Sequence, residues 1–446
     1  MVSLCRFPSK PAFAESKALR VGSIQSGGDK SMKVRAMMGA LCAAGLMFGA
    51  ATAQAAEDVT VLHWWTSGGE SKAVGVLKDD LQKQGYVWKD FAVAGGAGAA
   101  AMTALKTKVI SGDAPSAAQI KGPLIQEWAD QGVLVNIDSV AGDWKQNLPP
   151  EIDKIIKYKG HYVAAPFSVH RVNWLYINKA ALDKAGGKVP TNWPEFFQVA
   201  DKMKAAGIQP IAMGGQPWQD LTLWEDVVLS EGADFYKKAL VDLDQATLTS
   251  PKMLDVFNTV RKIQGYFDPS RNGRDWNLAT AMVINGKAGM QFMGDWAKGE
   301  FENAGKKSGK DYICAPVPGT ANGYTFNVDS FVFFQQKGSD KATPGQLALA
   351  KTIMTPGFQE QFSLLKGSIP VRLGVKMDKF DDCAKKSYAD EQAALKAGGY
   401  VPSLAHGMAQ GDATAGAISD VVTKFMNSQE DPKAAVAALA KAAKVK

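Results

Sequence analysis

The sequence predicts an α/β protein built of more than one lobe, and two observations carry that reading. From residue 59 onward, short apolar strands alternate with helices of 10–15 residues, the pattern of βαβ units and parallel sheets. The chain also has 446 residues, 46% hydrophobic and 21% charged. That is an ordinary globular composition, in a length at which one core stops growing and two or three lobes form.

The elements follow in order. Residues 59–64 (VTVLHW) alternate loosely and read as a strand; after a turn at Gly68-Gly69, residues 71–84 read as a helix. Residues 86–93 give a second strand, 95–98 a loop, and 99–110 a helix from apolar residues at helical spacing. A turn at 112–115 leads to a third strand at 116–120 and a helix at 123–131. The Gly-rich AGGAGAAA at 94–101 matches neither a Walker nor a dinucleotide pattern, so phosphate binding is set aside. A second group begins after residues 161–166. It comprises a strand at 173–178, a helix at 179–185 and an amphipathic helix at 193–206 introduced by Pro190-Thr191-Asn192. Helices at 221–231 and 253–264 follow, then a strand at 287–293 opening at Gly294-Asp295-Trp296, and a strand-rich segment at 324–335. Residues 345–354 and 357–365 read as helical, and 431–444 as a closing alanine-rich helix, with no internal repeat.

The formal charge of +7 is concentrated upstream: residues 1–55 hold seven Lys/Arg and two Asp/Glu, leaving 44 basic and 42 acidic residues beyond them. No basic run remains to track phosphates, which excludes nucleic acid as a partner. Met32-Lys33-Val34-Arg35 is a short basic start, residues 36–50 are apolar and uncharged, and Ala53 and Ala55 form a small-x-small cleavage pattern. The apolar run is shorter than the ~20 residues of a membrane span. Residues 1–55 therefore read as an upstream extension plus a secretory signal cleaved near Ala55, with Met32 as the true start. The mature protein is expected to be exported and soluble. Cys5 and Cys42 fall in the removed part, so Cys314 and Cys383 are the only pair left. An oxidising compartment favours one disulfide between them; two buried free thiols are the alternative. Two distant cysteines and so few histidines build no metal site, and no cofactor motif is present.

The stretch VLHWWTSGGE at 61–70 puts two adjacent tryptophans where a strand gives way to a loop. Neighbouring strand residues face opposite ways, so at most one can enter the core behind the strand. Four segments taken together, WWTSGGE at 64–70, SGDAPSAAQI at 111–120, LYINKAALDKAGGKVPTNWPEFFQVADKMKAAG at 175–207 and NGKAGMQFMGDWA at 285–297, resemble the family 1 extracellular solute-binding proteins, the sugar receptors of bacterial ABC importers. The double tryptophan and KGSIPVR at 366–372 are most similar to periplasmic glucose-binding members.

The resemblance implies a two-lobed type II periplasmic-binding-protein fold, each lobe a mostly parallel sheet flanked by helices, with a sugar in the cleft. It divides the chain into 57–164 plus 320–371 against 165–319 plus 372–446, which puts Cys314 and Cys383 in the same lobe. It also implies a periplasmic monomer without enzymatic activity, whose partners are a sugar, the ABC permease subunits and, as a further candidate, a chemoreceptor.

A hexose has apolar C–H faces and a rim of hydroxyls, so its pocket needs stacked rings and charged hydrogen-bonding groups. Trp64, Trp65 and Trp296 are the candidate rings; Glu70, Lys121, Asp329, Lys366 and His406 are the candidate rim groups. Glu70 reads equally as a helix-start carboxylate, Lys121 as a surface lysine, and His406 as a structural histidine. Asp329 has the best physical case. It lies inside FNVDSFVFF, where an unpaired carboxylate costs several kcal/mol unless it finds donors. Trp276 and His170 form a second tier, while Trp174, Trp193 and Trp224 read as packing. The function expected is capture of a monosaccharide, glucose first, by lobe closure. Mannose, galactose or a short oligosaccharide are the competing ligands. A rival of another class is an exported glycoside-active enzyme using Glu70 and Asp329 as paired carboxylates. Lys121 and Lys366 nearby would lower carboxylate pKa values and disfavour a general acid.

Overall fold

The computed structural model describes residues 56–445. The expected signal peptide and the upstream start both lie outside the described residues. Strands are β1 Asp58–His63, β2 Val87–Ala92, β3 Ala117–Gln119, β4 Lys157–Tyr158, β5 His161–Tyr162, β6 Ala164–Arg171 and β7 Trp174–Asn178. They continue as β8 Gln209–Ile211, β9 Ala288–Phe292, β10 Tyr312–Pro316, β11 Tyr324–Phe333, β12 Ile369–Pro370 and β13 Tyr400–Pro402. The larger sheet has the order β12-β6-β11-β3-β1-β2, with β13 also on β11; the smaller has the order β10-β7-β9-β8. Strands β4 and β5 form a separate two-stranded hairpin.

The two-lobed α/β fold stands as expected, but the sheets are mixed rather than mostly parallel. β1 pairs parallel with β2 and β3, β8 with β9, and β11 with β13. β6, β11 and β12 pair antiparallel, as do β7 with β9 and β10. The reason is connectivity. β6 of the larger sheet passes into β7 of the smaller through only Val172-Asn173, and β10 of the smaller returns to β11 of the larger by a short segment. So β6 ends where β11 begins, and β7 begins where β10 ends, which sets each pair antiparallel. All of β6 belongs to the larger sheet, so we place the first crossing between lobes at Val172-Asn173 rather than at 164/165.

Each sheet carries its own core. Val59, Leu62, Leu77, Leu105, Phe331 and Phe362 pack around the larger one, and Leu175, Phe196, Trp224, Phe257 and Leu439 beside the smaller. A satellite cluster gathers Trp174, Tyr176, Phe301 and Tyr312 with Cys383. Trp174 and Trp224 are buried as packing residues, and Trp193 donates from Nε1 to Ser230 Oγ at 2.9 Å.

Local signals account for where elements start. Gly68-Gly69 is not a turn but the first turn of the helix Gly68–Lys83, because Ser67 and Glu70 form a reciprocal capping box ahead of it. Pro217 opens the helix Pro217–Ser230 four residues before its apolar pattern begins. The helix Asp382–Ala397 was not expected; it buries only Cys383, Ala384, Ser387, Glu391 and Ala394, side chains too small or polar to register as periodic hydrophobicity. Helices Trp276–Ile284 and Asp412–Met426 were likewise not expected. Among the described residues no helix is long and apolar enough to cross a membrane.

Cys314 on β10 and Cys383 in the helix Asp382–Ala397 form a disulfide with Cα atoms 6.0 Å apart, closing 69 residues of chain. A loop of that length restricts the unfolded chain by roughly 4 kcal/mol in the entropy model. Replacing both cysteines by serine should lower the melting temperature by several degrees. Scanning calorimetry of wild type with reductant should reproduce the drop, and an unchanged transition on reduction would contradict it.

Candidate functional site

All ten sequence-predicted site residues line one cavity of about 390 Å³ between the lobes: Trp64, Trp65, Glu70, Lys121, His170, Trp276, Trp296, Asp329, Lys366 and His406. Four further residues complete the wall, Gly96, Ala97, Trp218 and Asn327.

The tryptophan pair divides its labour. Just past the end of β1, Trp65 is 2% exposed, its ring packed among Phe167, Phe331 and Phe362 at centroid distances of 5.4, 5.6 and 5.4 Å. Trp64 is 8% exposed and faces Lys121, whose Nζ sits 5.2 Å from its ring centroid. The glycine loop discounted for phosphate binding has a different use. A Cβ on Gly98, where φ is +88°, would lie 2.7 Å from the Trp64 ring, and one on Gly96 would lie 2.5 Å from the Trp218 ring. Only glycine lets the loop approach both indoles closely. On the opposite wall Trp296 lies 6.2 Å from Trp218, 4.8 Å from His406 and 5.6 Å from His170.

The ionised groups are arranged around these rings. Glu70 closes the capping box with Ser67, as its helix-start reading expects, and its Oε1 accepts from Lys366 Nζ at 3.0 Å on the cavity wall. Asp329, buried on β11, finds the donors its apolar setting demands. Gln119 Nε2 donates to its Oδ1 at 3.0 Å, and His170 Nε2 stands 2.9 Å from its Oδ2. Burial pushes this carboxyl up, but the His170 charge and hydrogen bond, joined by Lys121 and Lys366, hold it well below the usual carboxylate range. His170 is also buried and reaches Asp295 Oδ1 from Nδ1 at 2.5 Å. Burial opposes its charge, yet Asp295 and Asp329 together raise its pKa, favouring an imidazolium that donates to both.

Three groups are left with open hydrogen-bonding capacity. Lys121 Nζ has no hydrogen bond or ion pair to the described residues, and burial lowers its pKa to about 8 despite the pull of Asp329. Asn327 Oδ1 and His406 Nε2 are buried without partners. Burial, Lys121 and His170 hold His406 well below its ordinary value, so its ring is neutral. Its Nδ1 is 2.9 Å from Ser403 Oγ.

Sequence reasoning missed Asn327 although it was within reach. It lies two residues before Asp329 on β11, hence on the same face of the strand, and pairs directly opposite His170. Trp218 and the glycines carried no comparable signal. Among the described residues, no three of His, Cys, Asp and Glu are grouped so as to hold a metal ion.

Comparison with known proteins identifies the family. The model of the bacterial extracellular solute-binding protein family matches residues 64–351. The chain is 51% identical over 411 residues to a "Probable sugar-binding periplasmic protein" of Brucella melitensis biotype 1, covering 91% of this chain and 97% of that one. A protein of the same name from Rhizobium meliloti is 49% identical over 408 residues, covering 91% and 98%. Among solved structures, the bacterial solute receptor AcbH, described with an exclusive preference for β-D-galactopyranose, superposes with a TM-score of 0.72 at 20% identity, covering 87% of this chain and 97% of that one. Matched over residues 64–351 by the family model and over 91% of its length by relatives of about half-identical sequence, the chain belongs to the bacterial extracellular solute-binding proteins.

Proposed function

We propose that this protein is a periplasmic sugar receptor that closes over one pyranose, glucose first, and presents it to the membrane subunits of an ABC importer without altering it. One observation carries the reading. Indole rings at Trp64, Trp218 and Trp296 share a small cavity with three polar groups that lack full partners, Lys121, Asn327 and His406. Rings suit the apolar faces of a sugar, and unfilled donors and acceptors suit its hydroxyl rim, because buried polar groups left unpaired cost free energy that a ligand can recover. The close relatives named as sugar-binding periplasmic proteins support the same ligand class. The charges favour a neutral ligand: Lys366 pairs with Glu70, and His170 lies between Asp295 and Asp329. Binding without chemistry fits the state of Asp329, which is held far too acidic to serve as a general acid.

A second reading has its own support. A larger space of about 1,260 Å³ opens beyond Trp64 and Trp218, lined by Met102, Leu124, Leu221 and Ala405. A short oligosaccharide could extend into it.

Calorimetric titration of the exported protein, freed of bound sugar, tests both. One-to-one binding of glucose, tighter than that of galactose or mannose, with the sugar recovered intact, is the expected result. Tighter binding of a disaccharide favours the second reading. Absence of heat with every sugar, or release of product from a glycoside, overturns the proposal.

Lys121 adds a test of its own. Its folded pKa of about 8 lies below its ordinary value. The buried charge therefore costs stability below pH 8, and the cost is relieved as pH rises from about 8 towards the unfolded value. Lys121→Met should raise the melting temperature of the sugar-free protein at pH 7 while weakening glucose binding at least tenfold. Wild-type affinity should fall above about pH 8, where the donor loses its proton, and the variant should lack this dependence. A variant that binds as tightly as wild type removes Lys121 from the site.

A further inference from the structure

His406 meets the cavity with one ring nitrogen, and the polarity of that nitrogen is set from behind. Glu225, fully buried in the helix Pro217–Ser230, receives donors on both carboxylate oxygens. Its Oε2 accepts from Leu404 N at 2.7 Å, Tyr236 OH at 2.9 Å and Ala405 N at 3.2 Å; its Oε1 accepts from Ser403 Oγ at 2.6 Å. A hydroxyl has one hydrogen and two lone pairs. With Glu225 ionised, Ser403 spends its hydrogen on that carboxylate, so it can only accept from its other neighbours. These are the His406 backbone N–H at 3.2 Å and His406 Nδ1 at 2.9 Å. Nδ1 must therefore carry the ring proton. Because the ring is neutral, Nε2 is left with a bare lone pair, buried and without a partner at the cavity wall.

We propose that His406 Nε2 is an obligate hydrogen-bond acceptor that selects ligands presenting a hydroxyl donor, and that Glu225, acting through Ser403, is the positioning residue that fixes this tautomer. The proposal rests on the sugar-receptor reading for its ligand, but the tautomer is a property of the sugar-free protein. A hydroxyl placed against Nε2 must donate. A deoxy sugar lacking that group, or a fluoro sugar whose C–F can only accept, leaves the lone pair unfilled.

The same hydrogen-bond count says how the polarity could be inverted. In Glu225→Gln the amide oxygen is claimed at the Oε2 position by the backbone N–H groups of Leu404 and Ala405, which can only donate, so the amide N–H₂ faces Ser403 and donates to Oγ. Ser403 is then free to donate to Nδ1, and the ring proton moves to Nε2. Ser403→Ala removes the acceptor that holds the proton on Nδ1 and should release the ring to the Nε2–H form that free imidazoles prefer.

The test reads the tautomer directly, by nitrogen-15 chemical shifts and two-bond couplings of His406 in the sugar-free full chain at pH 8. At that pH Glu225, whose carboxyl burial pushes up to about 7, is ionised. The expected result is Nδ1–H in wild type and Nε2–H in Glu225→Gln, with Ser403→Ala as the second variant should the first not fold. Titration with the monodeoxy and monofluoro forms of the tightest-binding sugar completes it. In wild type the fluoro and deoxy forms at one ring position should both bind at least tenfold more weakly than the parent sugar. In Glu225→Gln the fluoro form should bind better than the deoxy form at that position. An Nε2–H tautomer in wild type, a tautomer unchanged in both variants, or fluoro sugars that bind like the parent at every position would each overturn the proposal. Failure of every sugar to bind would instead overturn the receptor reading, leaving the tautomer to be judged by the spectra alone.

Discussion

One imidazole shared by two carboxylates holds the cleft together. His170 is the next-to-last residue of β6, just before the chain leaves the larger sheet. Its two nitrogens face Asp295, in the loop after β9 of the smaller sheet, and Asp329, on β11 of the larger. All three side chains are buried. Two carboxylates and one imidazolium removed from water are tolerable only with excellent pairing and with the remaining lone pairs filled. They are filled here: Arg171 N donates to Asp295 Oδ2 at 2.9 Å, and Gln119 Nε2 donates to Asp329 Oδ1. The network therefore ties the end of β6 to Asp295 and Asp329 beside the crossing at Val172-Asn173, and loss of any member strands a buried charge.

That network separates groups that build the cleft from groups that await a ligand. Glu70 with Lys366, and His170 with its two carboxylates, are satisfied within the protein. Lys121, Asn327 and His406 Nε2 are not. A cavity with open polar groups among indoles is costly in the free protein and recovers that cost when a complementary molecule enters. Tight binding and added stability are then one effect seen twice. The same logic explains why a buried lysine with a lowered pKa is retained where an apolar side chain would pack better.

Much of this was legible from sequence where a local anomaly marked a residue. Asp329 declares itself as a lone carboxylate in an apolar strand, and Trp64 as a second indole at a strand end that can hold only one. The helix ranges were also legible wherever large apolar side chains recur at helical spacing, as in the helix Trp193–Ala205. What escaped depends on contacts distant in sequence. The antiparallel insertion of β6 and β11 follows from how the chain passes between lobes, not from any residue pattern. Glu225 reaches Ser403 across 178 positions, and nothing in its own segment marks it off from a solvated helix carboxylate. The helix Asp382–Ala397 escaped for the opposite reason, since it packs through small side chains and a disulfide instead of an apolar stripe.

The contacts spanning the gap decide what can drive closure. Lys106 and Asp412 approach to 3.5 Å from opposite lobes, but their side chains are 56% and 50% exposed. Such a pair contributes at most about 1 kcal/mol and is weakened by salt. Gly69 N donates to Glu300 Oε1 at 2.8 Å, a charge-assisted bond to a single amide. Neither is strong enough to commit the lobes. The cavity walls are different in kind: Trp64, Lys121 and Asn327 come from elements of the larger sheet, and Trp218, Trp296 and His406 from the other side. A ligand touching both sets binds the closed arrangement better than any open one, and only that difference in affinity can shift the population. In the proposed receptor the weak bridges would set where the open–closed equilibrium rests without ligand, and the unfilled polar groups how far a sugar moves it.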